Sequence, residues 1–328
     1  MSGWYGSTVR NLACLAAAGL ALCGCSTLTG GAPSGGDGGP ASNGTASSGP
    51  ASSGPAGSAS PSASSTRPAA ASVEAVGSPL WQLKWQTDFA ESAPLGSFSG
   101  CDNYDRTPAA FCSGLPASVR SQWWAYPTGW PDTATENHLR LGGYHDPAHT
   151  ISISGGQMHI RMFRDTGPIH SAAVVPKAAI GLTYGKYVER FRVSDPGSST
   201  GYKGSHLLWP TGYPLKYEVD FPEGEWDSGF CVHVHSVSEG ASTENTCPAG
   251  ATWATWNTTE TEWWPGNLAF YLNGTEVYHL TGKWVPDQPM SWIIQNETAL
   301  NGEIAPEHSS AQLNISYVAV YTYAGKKT

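Results

Sequence analysis

In the stretch YEVDFPEGEWDSG (residues 217–229), Glu218, Asp220 and Glu223 fall within six positions of a segment that otherwise reads as a β-strand. Side chains on a strand alternate between faces, so Tyr217, Val219 and Phe221 take one face and Glu218 and Asp220 the other. Glu223 then falls on the wrong face unless the chain gains one residue. A β-bulge after Asp220 supplies it, and Pro222, which cannot donate to a sheet ladder, sits where such a break is tolerable. Three carboxylates on one face repel one another, so at least one holds its proton above the usual range. An ionised carboxylate beside a protonated one is the pair needed to cleave a glycosidic bond with retention: one attacks, the other gives its proton to the leaving oxygen.

The composition bounds what can carry such a site. The chain has 328 residues, 40% hydrophobic and only 13% charged, enough to bury a sizeable core in one large domain. A net charge of −9 with no block of Lys or Arg leaves no footprint for nucleic acid or an anionic membrane surface. A neutral polymer fits better as a partner, and a cleft without clustered cations matches sulfated or uronate-rich chains poorly. Fourteen Trp and fourteen Tyr must serve as core or as platforms for sugar faces.

The N-terminus reads as an address. Arg10 precedes NLACLAAAGLALCGCS, too short to span a bilayer as a helix but suited to the apolar part of a secretory signal. Within it, Leu22-Cys23-Gly24-Cys25 resembles the bacterial lipobox, which makes Cys25 the expected site of lipidation. The expected divisions are a signal at 1–24, a Gly/Ser/Ala/Pro-rich tether at 25–77 and a folded domain at 78–328. The tether cannot bury enough apolar surface to offset the entropy of ordering. The expected product is an extracytoplasmic protein, lipid-anchored or secreted, that touches the membrane through its lipid alone and is monomeric. With the first three cysteines assigned to the signal and the lipid, Cys101, Cys112, Cys231 and Cys247 remain as an even set for two disulfides. Three connectivities are possible, and the short loops Cys101–Cys112 and Cys231–Cys247 are favoured. No pair has the CxxC spacing of a zinc site, and no cofactor is expected, a structural calcium ion being left open by the sequence.

The folded part is patterned as strands: 156–163, 185–194, 215–221, 229–237, 291–296 and 313–323 are short and rich in β-branched and aromatic residues. LAFYLNGTEVYHL (268–280) places Asn273-Gly274 between two alternating runs, a strong hairpin signal. Many short strands without sustained helical periodicity predict an all-β, two-sheet antiparallel sandwich of jelly-roll type.

Several segments, in order, resemble glycoside hydrolase family 16, the β-glucanase-like jelly rolls related in fold to legume lectins. They are YGKYVERFRV (184–193), SHLLWP (205–210), the acidic strand, TEWWPGNLAFYLNGTEVY (261–278), SWIIQNET (291–298) and SYVAVY (316–321). The resemblance implies Glu218 as nucleophile, Asp220 as assisting acid and Glu223 as general acid/base of a retaining endo-β-glycosidase. The implied substrate is a β-1,3- or β-1,3/1,4-glucan, with transglycosylation as a variant on the same site; the rival reading is a non-catalytic carbohydrate-binding surface lipoprotein with the same cleft. Trp209 and Trp226, which flank the acids, are candidate stacking platforms. His235 and Gln295 are candidates to line the cleft, and Trp123, Trp124 and Trp130, in what reads as a loop, to border outer subsites. Tyr217 stands where many members carry Gly, and His206 where relatives often carry Trp.

Overall fold

The computed structural model describes residues 79–101, 112–212, 214–237 and 241–326. The expected signal and tether, with Cys25, lie outside the described residues. Sixteen strands are found among those described. They are β1 (Pro79–Thr87), β2 (Trp123–Ala125), β3 (Gly143–His145), β4 (Ile151–Ser154), β5 (Gln157–Arg164), β6 (Ile169–Pro176), β7 (Gly185–Ser194) and β8 (Tyr202–Pro210), then β9 (Tyr217–Glu225), β10 (Cys231–Ser236), β11 (Ala241–Thr246), β12 (Asn257–Trp264), β13 (Asn267–Leu272), β14 (Thr275–Thr281), β15 (Met290–Thr298) and β16 (Ser309–Lys326). Three short helices, α1 (Ala117–Gln122), α2 (Thr133–Glu136) and α3 (Pro147–Thr150), sit in the connections.

The strands form an antiparallel jelly-roll sandwich. One layer runs β11-β10-β9-β8-β15-β6, with β2 added on β6; the other runs β5-β16-β7-β12-β13-β14, with β1 on β16 and β4 on β5. Strand β6 joins the two by pairing Phe163 with His170 and Arg164 with Ile169 on β5. Among the described residues the one parallel pairing is between β3 and β6.

The main core lies between the layers and follows from alternation. Leu208, Val219, Phe221, Val232, Val234, Trp292 and Ile294 point inward from the first layer and meet Tyr187, Phe191, Phe270, Ile315 and Val318 from the second. Ring contacts bridge the gap, with centroids of Phe221 and Phe270 5.6 Å apart and those of Tyr187 and Trp292 5.4 Å apart. Close packing leaves no room at Gly204, where an added Cβ would come within 2.6 Å of the Trp253 ring. At the β13–β14 hairpin, Asn273 and Gly274 both take positive φ (53° and 81°), as a two-residue turn that follows the right-handed twist of its strands requires. Both favoured disulfides are present, Cys101–Cys112 and Cys231–Cys247.

The opposite parity of the first layer builds a second, smaller apolar cluster on its other face: Ala173, Val175, Leu207, Trp209, Leu215 and Ile293. This floor carries the candidate site.

Candidate active site

Strand β9 breaks where the carboxylates require it. Against β8, Leu207 pairs with Asp220 but Ser205 pairs with Glu223, so β9 spends three steps where β8 spends two. Against β10 the same extra residue appears between the His233–Asp220 and Cys231–Glu223 pairs. The bulge, with a cis peptide at Phe221–Pro222, keeps Val219 and Phe221 in the core and returns Glu223 to the face of Glu218 and Asp220.

Glu218 and Glu223 line a partly open hollow on this face. Its floor includes Leu207, Trp209 and Ile293, and its walls carry Tyr126, Trp130, His145, Gln295 and Glu297. Trp130 and Gln295 border the hollow, and Trp209, only 4% exposed, is packed into its apolar floor. His235 shares the face but flanks the acids, its Nε2 3.6 Å from Asp220 Oδ2, while His233 Nε2 lies 3.7 Å from Glu223 Oε2.

Two of the aromatic expectations are corrected. Trp226 is fully buried in the main core against Tyr202, with ring centroids 6.1 Å apart, because the bulge resets the alternation and turns it inward. Trp123 lies on strand β2 rather than in a loop, and its side chain points into the core, stacked on Phe89 at 5.9 Å. Trp124, its neighbour on β2, takes the other face and packs half-buried beside Tyr126, against the apolar floor of the hollow. His206 points inward too, its Nδ1 2.6 Å from Glu189 Oε1.

The sequence reading missed the cation at the centre of the site. Lys203, on β8, is buried and donates to Glu223 Oε1 at 2.6 Å and to Glu297 Oε1 at 3.1 Å. Glu297 is held in turn by Gln295 Nε2 at 2.9 Å and by the Thr133 hydroxyl. Asp132 anchors the α2 wall by accepting from the Thr135 and Gly143 amides and from Thr298 on β15. The signal for Lys203 was alternation: Lys203, Ser205, Leu207 and Trp209 share one face of β8, and Gln295 and Glu297 share one face of β15.

These contacts sort the protons. Burial, together with the charge of Glu223, pushes Glu218 up to about 8 despite Lys203. Burial and the neighbouring Glu218 and Glu223 raise Asp220 well above the usual range, against the opposing hydrogen bond from Ser205 Oγ at 2.8 Å. Burial alone would raise Glu223 as well, but Lys203 and His233 hold it below its ordinary value. Burial would strip Lys203 of its proton, yet Glu223 and Glu297 raise it above the ordinary lysine value. Across the hollow, burial and the charges of Glu297 and Asp132 bring Glu136 to about 7, and burial lowers His145 to about 4 against the pull of Asp132.

No family sequence model matches the chain, and no curated protein matches it in sequence. Solved structures match it in fold. The laminarinase from Rhodothermus marinus superposes with a TM-score of 0.55 at 19% identity, over 75% of this chain and 99% of that one. The catalytic domain of an endo-1,3-β-glucanase (laminarinase) from Thermotoga petrophila gives 0.54 at 17% identity, over 75% and 100%. A non-specific endo-β-1,3(4)-glucanase from family GH16, with a 1,3-β-D-cellobiosyl-glucose at its active site, gives 0.54 at 14% identity, over 75% and 98%. The chain therefore has the fold of the family 16 laminarinases and endo-β-1,3-glucanases.

Proposed function

We propose that this chain is a retaining endo-β-glycosidase acting on a neutral β-1,3- or β-1,3/1,4-glucan, exported and held to the membrane by a lipid on Cys25. The observation that carries the reading is the bulge in β9, which gathers Glu218, Asp220 and Glu223 on the aromatic floor of the cleft. A solvated strand face needs no such irregularity, and a sandwich that served only as a spacer needs no buried, mutually repelling acids.

In this reading Glu218 attacks the anomeric carbon, Glu223 protonates the departing oxygen, and Glu223 then takes a proton from the water that releases the glycosyl-enzyme. Asp220, kept neutral, donates a hydrogen bond that stabilises Glu218 as an anion. The proton order of this structure runs opposite to those roles, with Glu218 raised and Glu223 lowered. Turnover therefore requires a proton to pass from the Glu218–Asp220 pair to Glu223 as Lys203 lets go of Glu223. A leaving-group oxygen seated against Glu223 supplies the reason, since it competes for the same carboxylate oxygen and favours the protonated acid. Trp130 offers a ring face for the apolar side of a sugar, above the floor that Trp209 helps to build.

The test is reducing-end release from β-glucans and galactans by the wild type and Glu218→Gln, with the anomer of the first product read by NMR. Cleavage of one glucan with β-anomer released first, lost by several orders of magnitude in the variant, is the expected result. Equal glycan binding by both proteins with no release would replace the enzyme with a sugar-binding module.

A further inference from the structure

Two histidines stand beside the carboxylates with no assigned role. His233 and His235 are two apart on β10 and so share a face, their rings parallel to within 3° and their centroids 6.0 Å apart. Register places His233 opposite Asp220 and His235 opposite Glu218, so both imidazoles lean over the acidic strand. The ligand atoms of Glu223, His233 and His235 all lie within 4.8 Å of one another. Two atoms bound to a tetrahedral zinc ion at about 2.0–2.1 Å lie roughly 3.4 Å apart. The 3.7 Å between His233 Nε2 and Glu223 Oε2 is close to that spacing. The division of Glu223 fits as well, because Lys203 takes Oε1 and leaves Oε2 toward the histidines.

A second observation points the same way. Asp220 is 1% exposed, and its Oδ2 is buried without a hydrogen-bond partner among the described residues, 3.6 Å from His235 Nε2. A buried polar oxygen without a partner is costly, and a cation held by His235 would give it one. The two histidine side chains keep 22% and 16% exposure, which leaves an ion a path in from the cleft.

We infer that Glu223, His233 and His235 form a binding site for a divalent transition ion of the Zn²⁺ class, beside the buried Oδ2 of Asp220. Two imidazole nitrogens and one carboxylate oxygen suit zinc, and cobalt as its spectroscopic substitute, far better than calcium or magnesium, which prefer all-oxygen shells. Lys203 weakens the site by its like charge, which suits an ion that comes and goes. One consequence rests on the glycosidase reading: an ion on Glu223 Oε2 removes the proton donor, so zinc and productive substrate exclude each other and zinc acts as a reversible inhibitor.

The experiment is equilibrium dialysis of the full chain against Zn²⁺, with the visible spectrum of the Co²⁺ form. His233→Gln and His235→Gln are compared with His170→Ala, which opens the separate Asp146–His170 contact of 2.8 Å. Variant folding is checked by circular dichroism. The expected result is a tetrahedral cobalt spectrum and Zn²⁺ binding weakened roughly 100-fold or more in each Gln variant, since a direct ligand matters at least as much as an outer partner. His170→Ala should bind as the wild type does, and Ca²⁺ should not compete. Unchanged Zn²⁺ affinity in both folded Gln variants, or its loss in His170→Ala instead, would overturn the site. Inhibition is read separately as zinc-dependent loss of glucan cleavage, restored by EDTA. A protein that binds zinc through the histidines but cuts no glucan would keep the metal site and remove the glycosidase.

Discussion

Glu218→Gln should make the protein more stable, and increasingly so as the pH rises. Glu218 titrates near 8 in the folded chain against 4.5 for an ordinary glutamic acid. Between those values the folded state binds more protons than the unfolded state, so stability falls as the pH climbs. Each tenfold change in proton affinity corresponds to about 1.4 kcal/mol, and the full swing approaches about 5 kcal/mol. Asp220 and Glu223 share the same few protons with Glu218, and the carboxyl keeps some contact with cleft water. A net effect of about 2–3 kcal/mol is therefore the reasonable size. Glutamine is nearly isosteric and cannot ionise, so it escapes the penalty. Urea unfolding at about pH 5 should show the variant within roughly 0.5 kcal/mol of the wild type, and at about pH 8.5 ahead of it by the amount above. The same variant is the one expected to lose glucan cleavage, so a more stable and inactive protein is the combined signature. A stability gap that is flat with pH, or that widens toward acid, would refute the electrostatic account of the site.

Other substitutions separate the roles of the neighbours. Lys203→Met leaves Glu223 and Glu297 buried without their cation and should cost about 3–5 kcal/mol in urea unfolding. Because Lys203 depresses Glu223, the alkaline limb of kcat/KM should also move to higher pH in that variant; an unmoved limb would separate Lys203 from the proton donor. Trp226→Ala should destabilise by about 3–5 kcal/mol as a core truncation and leave KM for glucan near wild type in whatever protein remains folded. Trp209→Ala should instead raise KM, and a reversal of that pattern would return Trp226 to the cleft. Reducing Cys231–Cys247, which closes a loop across a sequence separation of 16, should lower stability by about 3 kcal/mol. It should also lower activity, because Cys231 pairs directly with Glu223.

The sequence displayed what repeats over a few residues and hid what is joined over many. Strand β7 was legible to the residue at 185–194 because it alternates cleanly, and the β13–β14 turn because Asn-Gly admits few backbones. The bulge was legible from a contradiction: three acids needed one face, and period two allowed only two of them there. That contradiction also held information that went unused. An extra residue after Asp220 shifts everything beyond it, so Trp226 had to leave the cleft face on the same reasoning that brought Glu223 onto it. Trp123 failed differently, since a three-residue strand docked on the end of β6 has too short a pattern to announce itself beside Pro and Gly.

Lys203 marks the deeper boundary. It lies 20 residues from Glu223 and 94 from Glu297, and only the order β9-β8-β15 brings the three together. Its effect on function is out of proportion to that obscurity. Three crowded acids without a cation would share their protons by repulsion alone, and the site could settle with either glutamate ionised. The lysine breaks that degeneracy by fixing the charge on Glu223, and Glu297 keeps the lysine charged while burial works against it. Turnover as proposed demands the opposite assignment, so Lys203 sets a threshold that only an occupant of the cleft able to claim Glu223 can cross. In the proposed mechanism, ionisation of Glu218 then waits on an occupant of the cleft that displaces Lys203 from Glu223.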